Sequence, residues 1–178
     1  MKNLLYLLLV FTSTSALAGG GGGGGPTTAP AACNTATQFC NDNSTTFPSL
    51  TGVPSLGGNG IYGCLGSTPN PSWYYVTVQS PGSLSITISQ TSASGGAIDA
   101  DAIMWGPFTD LATGCASLST TNDVDCSFST SNTETMDAAN VLPGQVYIIL
   151  STNYNGGAGN ITLSSNGSAG ISCACSVT

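Results

Sequence analysis

Ser83-Leu84-Ser85-Ile86-Thr87-Ile88-Ser89 alternates strictly between hydroxyl and apolar side chains. A period of two sends successive side chains to opposite faces of a strand, so the run reads as a half-buried β-strand with Leu84, Ile86 and Ile88 facing a core. Tyr74, Val76 and Val78 alternate in the preceding run, and Pro81-Gly82 between the two reads as the turn of a hairpin. Ala100 to Trp105, Val146 to Leu150 and Asn160 to Leu163 supply further strands, with turns at Pro143-Gly144 and Asn155-Gly156-Gly157. No segment keeps a helical period; the stretch from Glu134 to Ala139 is the only weak helical candidate. Many short strands between Gly, Pro and Asn turns predict an all-β domain over residues 33–178, an antiparallel β-sandwich of jelly-roll type.

Charge removes several classes of function. The 178 residues include eight Asp or Glu, no His, and a single cation, Lys2, giving a net charge of −7. Without a basic patch the chain has nothing to neutralise nucleic-acid phosphates. It cannot assemble a Ser-His-Asp or Cys-His unit, an imidazole metal site or a P-loop. Catalysis would have to come from carboxylates, thiols or a bound metal. The composition therefore points to binding or structure, not to an enzyme.

Residues 1–18 read as a secretory signal peptide. Lys2 forms its positive start, Leu4 to Phe11 its apolar run, and Ala16-Leu17-Ala18 its cleavage site. That run is too short for a permanent membrane anchor, so no membrane insertion is expected. Gly19 to Gly25 and Pro26-Thr27-Thr28-Ala29-Pro30 follow, and residues 19–32 read as a disordered tether because they cannot bury enough apolar surface to offset ordering. Secretion or display at the cell surface is the expected location, where Cys33, Cys40, Cys64, Cys115, Cys126, Cys173 and Cys175 form a disulfide framework with one cysteine left over. The short polar loop between Cys115 and Cys126 makes them the preferred pair. Cys33 with Cys40 and Cys64 with Cys173 or Cys175 is one completion; Cys33 with the C-terminal pair and Cys40 with Cys64 is another.

Several stretches in order carry a resemblance. They are Tyr62-Gly63-Cys64-Leu65, Thr68-Pro69-Asn70-Pro71-Ser72-Trp73-Tyr74-Tyr75, Ile98-Asp99-Ala100-Asp101-Ala102-Ile103-Met104-Trp105-Gly106-Pro107-Phe108, Asp125-Cys126-Ser127-Phe128-Ser129 and Pro143 to Tyr154. This series resembles an extracellular β-sandwich module of gliding-motility and adhesin-like surface proteins of Bacteroidetes, exported by type IX secretion. It is also broadly similar to bacterial pre-peptidase C-terminal and CUB-like jelly rolls. The resemblance implies surface binding or spacing with no chemistry of its own, although one cysteine rather than Cys173-Ala174-Cys175 is expected at its end.

Two acidic pairs are the candidate metal ligands. Asp99 and Asp101 are two apart, as are Asp123 and Asp125, so on a strand each pair shares a face at about 6.6 Å between α-carbons. With no cationic side chain to neutralise them, a bound cation is one answer, and oxygen-only ligands favour Ca²⁺; solvated carboxylates capping turns are the other. Acid pairs also serve glycoside hydrolysis, but nothing marks one of these acids as buried against aromatics. Trp73 and Trp105 are the candidate ligand-binding aromatics, with core packing the competing reading, and strand alternation would set Trp105 on the side of Asp99 and Asp101. The expected function is a non-catalytic module for adhesion, binding or spacing at an extracellular protein or polysaccharide surface. A carbohydrate-binding module is the first alternative. A self-associating subunit of a filament, linked through the arm or the odd cysteine, is the second.

Overall fold

The computed structural model describes residues 32–40 and 44–173. The signal segment, the tether up to Ala31 and Cys175 lie outside the described residues. The elements, in chain order, are β1 (Thr37–Gln38), β2 (Ser44–Pro48), β3 (Ser72–Thr77), β4 (Gly82–Ser92), β5 (Ala102–Phe108), α1 (Leu111–Ala116), β6 (Asp123–Ser127), β7 (Thr133–Val141), β8 (Val146–Ser151) and β9 (Gly159–Ser165). Short 3₁₀ turns occupy Cys33–Thr35 and Gly60–Tyr62.

Strand pairing gives the topology directly. β2 pairs with β9, β3 with β8, β4 with β7 and β5 with β6, all antiparallel. Apart from β1, which pairs in parallel with β3, first joins last and each inner pair nests within the outer one, which is a long hairpin rolled over on itself. The additional pairs β4–β9 and β5–β8 zip the roll into two sheets, ordered β1-β3-β8-β5-β6 and β2-β9-β4-β7. The chain is therefore an all-β jelly-roll sandwich.

This rolling corrects one expectation. β3 and β4 lie in different sheets and do not pair, so Pro81-Gly82 carries the chain from one layer to the other and does not close a hairpin. The stretch from Glu134 to Ala139 is also not helical but the middle of β7. Its side chains obey a period of two, with Glu134, Met136 and Ala138 buried and their neighbours exposed.

Two separate cores result. The first lies between the sheets and includes Tyr74, Val76, Val78, Leu84, Ile86, Ile88, Met104, Met136, Ile149, Ile161 and Leu163. The alternating residues of β3 and β4 thus face inward as the sequence predicts. The second lies on the outer face of the five-stranded sheet and includes Leu65, Trp73, Ile103, Trp105, Val146, Ile148 and Leu150. Half-buried Tyr62, Leu111 and Leu118 cover it from α1 and the loops. Buried on both faces, β8 is apolar along most of its length, Val146-Tyr147-Ile148-Ile149-Leu150, rather than alternating.

The disulfides belong to the second core. Cys33 is bonded to Cys115 and Cys64 to Cys126, with Cα–Cα distances of 5.7 and 5.9 Å. The preferred Cys115–Cys126 pair is therefore overturned, as are Cys33–Cys40, Cys40–Cys64 and a bond from Cys33 or Cys64 to Cys173 or Cys175. Cys115 lies on α1 while Cys126 lies on the edge strand β6. The loop between them closes without a covalent link, because Asn122 accepts from Ser119 N at 2.9 Å and donates to Ser117 O at 2.7 Å. A six-residue helix is far below the length at which a helix holds itself together. Its support comes from the Asp110 cap, which accepts from Thr113 N at 2.8 Å, and from the bridge to Cys33.

Candidate functional site

One end of the sandwich is acidic. Asp99 and Asp101 sit just before β5 in a segment tied down through its main chain. Thr152 N donates to Asp101 O at 2.9 Å, Tyr154 N to Asp99 O at 3.3 Å, and Ala100 N donates to Ser131 O at 3.0 Å. From the opposite sheet β7 brings Glu134, which accepts from the hydroxyls of Ser127 and Ser129. Asp101 and Glu134 are 6% and 7% exposed. Burial pushes the Asp101 carboxyl up to about 6, helped by the charge of Asp99 and, less, of Glu134, while the Ser129 N–H pulls it down. Burial and then Glu134 raise Asp99 as well.

The same end contains acceptor atoms without donors. Asp99 Oδ1 and Gln90 Oε1 are buried and make no hydrogen bond. Gln90 is fully buried on β4, its amide nitrogen fixed on Ser151 Oγ at 3.0 Å and on Thr152 O, beside the bond that holds Asp101 O. A buried acceptor left unpaired costs about 1–3 kcal/mol, a cost that a proton or another donor at this end would relieve.

Asp123 and Asp125 do not join this group. Asp125 accepts from Cys126 N at 2.8 Å and from Asp137 N at 2.7 Å, so its carboxylate links β6 to β7. Asp123 lies across from Trp105 and beside Gly63, with its carboxyl raised by burial and then by Asp125. A side chain at Gly63, whose φ is +57°, would meet Asp123 Oδ2 at 2.5 Å. The two acidic pairs thus do different work, and Glu134 and Gln90, neither of them singled out from the sequence as a site residue, are the groups that accompany Asp99 and Asp101. A signal for both was available: each is a polar residue in the inward phase of an otherwise apolar alternation, Gln90 after Leu84, Ile86 and Ile88, Glu134 before Met136 and Ala138.

The tryptophans form no exposed stacking platform. Trp105 is fully buried and Trp73 is 3% exposed. Their rings stack with centroids 5.8 Å apart, Tyr62 meets Trp105 edge-on at 6.4 Å, and Trp105 Nε1 donates to Ile61 O at 2.9 Å. Trp105 packs in the outer core, and its contacts are with Trp73, Tyr62 and Ile61 rather than with Asp99 or Asp101.

Trp73 does reach a surface feature. A recess of about 330 Å³ is lined by Ala32, Cys33, Leu56, Ile61, Tyr62, Trp73, Cys115, Ala116 and Leu118. Leu56 and Ile61 at this recess are 43% and 41% exposed. Its two sulfurs are locked in the Cys33–Cys115 bridge. The lining carries no acid, base or free thiol, apart from the Tyr62 phenol, whose pKa burial raises. Such a hollow can hold an apolar group but offers nothing to turn it over.

No helix among the described residues is long and apolar enough to cross a membrane. No protein-family model matches the chain, and no curated protein matches it in sequence. Among solved structures it is similar to the pre-peptidase C-terminal domain of a collagenase from Bacillus anthracis, at 17% identity and a TM-score of 0.41, over 74% of this chain and 94% of that one. It is also similar to PliG of Aeromonas hydrophila, a periplasmic inhibitor of g-type lysozyme, at 10% identity and a TM-score of 0.36, over 74% of this chain and 96% of that one. Both likenesses are loose, and the assignment to a jelly-roll sandwich rests on the strand pairing itself.

Proposed function

We propose that the protein is a non-catalytic module of an oxidising, extracytoplasmic compartment that works by contact with a protein at an extracellular surface. The recess beside Trp73 carries this reading, because it combines exposed Leu56 and Ile61 with an aromatic wall and has no reactive group. An apolar hollow suits a protein side chain better than a sugar, which needs polar partners around its hydroxyls. The test is binding of the labelled mature protein to intact bacterial cells. Leu56→Asp with Ile61→Asp should abolish cell binding while the melting temperature stays near wild type, since both side chains are exposed at the recess and belong to neither core. Binding that survives the double substitution would refute the reading, as would multiple-turnover hydrolysis of any glycoside lost in Asp101→Asn.

A second reading concerns the acidic end, favoured by the donorless Asp99 Oδ1 and Gln90 Oε1. No group of three or more His, Cys, Asp or Glu that could hold a metal ion occurs among the described residues. Calcium would therefore rest on Asp99 and Asp101 supplemented by neutral oxygens such as Gln90 Oε1, a donor set of the hard type it prefers. Thermal melting at pH 7 decides it. Calcium should raise the midpoint over chelator in wild type and not in Asp101→Asn, and equal midpoints in wild type would remove the cation.

A further inference from the structure

The outer face of the five-stranded sheet carries a second hollow, and its chemistry is the opposite of that in the recess beside Trp73. In β3 the outward phase is Trp73, Tyr75 and Thr77, since Tyr74, Val76 and Val78 point into the inner core. Trp73 lines the recess, whereas Tyr75 and Thr77 line a hollow of about 350 Å³ further along the strand. α1 borders both: its first residue, Leu111, lines the hollow, and Cys115 and Ala116 line the recess. The volume is at the small end of the range of ligand sites, which suits a single small unit.

The hollow joins an apolar base to a polar wall. Val146 and Leu111 belong to the outer core, and the half-buried Tyr75 packs against that core. Around them stand Gln38, Thr77, Thr109 and Asp110. The Gln38 carboxamide is held at both ends: Nε2 donates to Ser172 O at 2.9 Å, and Oε1 accepts from the Tyr75 hydroxyl at 3.4 Å. Each end keeps capacity, because the amide nitrogen has a second N–H and the oxygen a second lone pair. Asp110 is exposed and equally fixed. Its Oδ1 accepts from Thr113 N at 2.8 Å, and its Oδ2 from the hydroxyls of Thr113 and Thr109 at 2.9 and 3.2 Å. Oδ1 therefore retains an acceptor position, as does the Thr109 hydroxyl oxygen. Polar groups already ordered by their neighbours lose little freedom when a ligand replaces water at them.

The geometry points to a binding site for a neutral sugar unit of a glycan, between Tyr75, Gln38 and Asp110. A pyranose presents C–H bonds on its faces and hydroxyls around its rim, so it needs an aromatic or apolar surface together with donors and acceptors. Tyr75 with Leu111 and Val146 provides the first, and Gln38, Thr77, Thr109 and Asp110 provide the second. Charge narrows the class. The described residues contain no Lys, Arg or His, and Asp110 lines the hollow, so uronic, sialic or phosphorylated sugars would meet repulsion with no counter-charge. Neither tryptophan takes part. A single unit held in this way binds at about the millimolar level, so the site adds a glycan preference while the apolar recess remains the grip on cells.

Electrophoresis of the mature protein at pH 7 in native gels containing a polysaccharide tests this. Dextran, mannan, galactan and hydroxyethyl cellulose are the neutral probes, and polygalacturonate is the anionic one. At least one neutral polymer should retard the protein, and polygalacturonate should not. Asp110→Ala, which removes a charged acceptor, should weaken the retardation about tenfold. Thr77→Val keeps the shape of the side chain and the β3 ladder, and should weaken it several-fold. Leu56→Asp with Ile61→Asp should leave it unchanged, so that loss of cell binding and loss of glycan binding report on separate sites. Free migration in all the neutral gels would overturn the inference. So would retardation that Asp110→Ala and Thr77→Val leave intact, equal retardation by polygalacturonate, or retardation lost in Leu56→Asp with Ile61→Asp.

Discussion

The two faces of the five-stranded sheet are sealed in different ways. The inner face meets a second sheet, and the long strands there contribute by alternation, so hydrogen-bonded ladders and apolar packing reinforce each other. The outer face meets one six-residue helix, two 3₁₀ turns and loops, none of which is stable alone. Two disulfides hold that cover in place. A sheet can thus be buried on both sides without a third regular layer, provided covalent links do what secondary structure does elsewhere.

Both tryptophans of the chain lie in the outer core, so intrinsic fluorescence reports the cover while far-UV circular dichroism reports the sandwich. The largest effect is expected from Trp105→Ala, which empties a fully buried site and strands Ile61 O. A cost of about 3–5 kcal/mol is typical of such truncations. Because Ile103 and Trp105 share β5 with inward-facing Ala102 and Met104, the damage should spread through the strand. Fluorescence from the remaining Trp73 and the β signal should be lost together, at a lower temperature than in wild type. If the β signal instead melted unchanged, the two cores would be independent.

Opening a disulfide should separate what Trp105→Ala destroys together. Cys33→Ser with Cys115→Ser removes a link between residues 82 apart, worth about 2–4 kcal/mol. Ladders of the inner core are untouched by it. The tryptophan emission should shift to the red at a temperature where the β signal is still native-like. Coincident transitions would show that the cover is not a separate cooperative unit.

Much of the first core could be read from the sequence and little of the second. Leu84, Ile86 and Ile88 declare their face by alternation, and many short strands between turns are enough to indicate a jelly roll. Pro81-Gly82 could not reveal that β3 and β4 part company, because a turn fixes local direction and not which sheet receives the next strand. The pairing Cys33–Cys115 was equally hidden: it joins a 3₁₀ turn to a helix far along the chain, and only the shape of the outer core brings them together. The sequence does place Asp99 and Asp101 side by side. It conceals Glu134, whose strand looks like a weak helix until the phase of Met136 and Ala138 is noticed.

A smaller effect comes from the acidic end, between the sheets. A carboxyl raised from 3.8 to about 6 on folding binds its proton more tightly in the native state. Its contribution therefore favours folding at low pH and is lost as pH rises from about 4 through about 6. The melting temperature in chelator should fall across that interval, and Asp101→Asn, neutral throughout, should flatten the fall. A wild-type midpoint that rose over the same interval would show that Asp101 gains a positive partner on folding.

The smallest effect should lie in the cover, at Asp110. This exposed carboxylate caps α1 and is held low first by the Thr113 N–H and then by the Thr113 hydroxyl, so its contribution is present at neutral pH and lost as pH falls below about 4. In the cross-linked protein Asp110→Ala should lower the melting temperature by only a degree or two, because Cys115 still pins the helix to Cys33. With Cys33→Ser and Cys115→Ser in the background, the cap becomes the main restraint on α1, and the same substitution should shift the tryptophan transition several times further. The difference between the two shifts measures the coupling of cap and bridge. If the shifts were equal, the bridge would not be what holds this helix on the sheet, and the contrast between the two faces would need another physical cause.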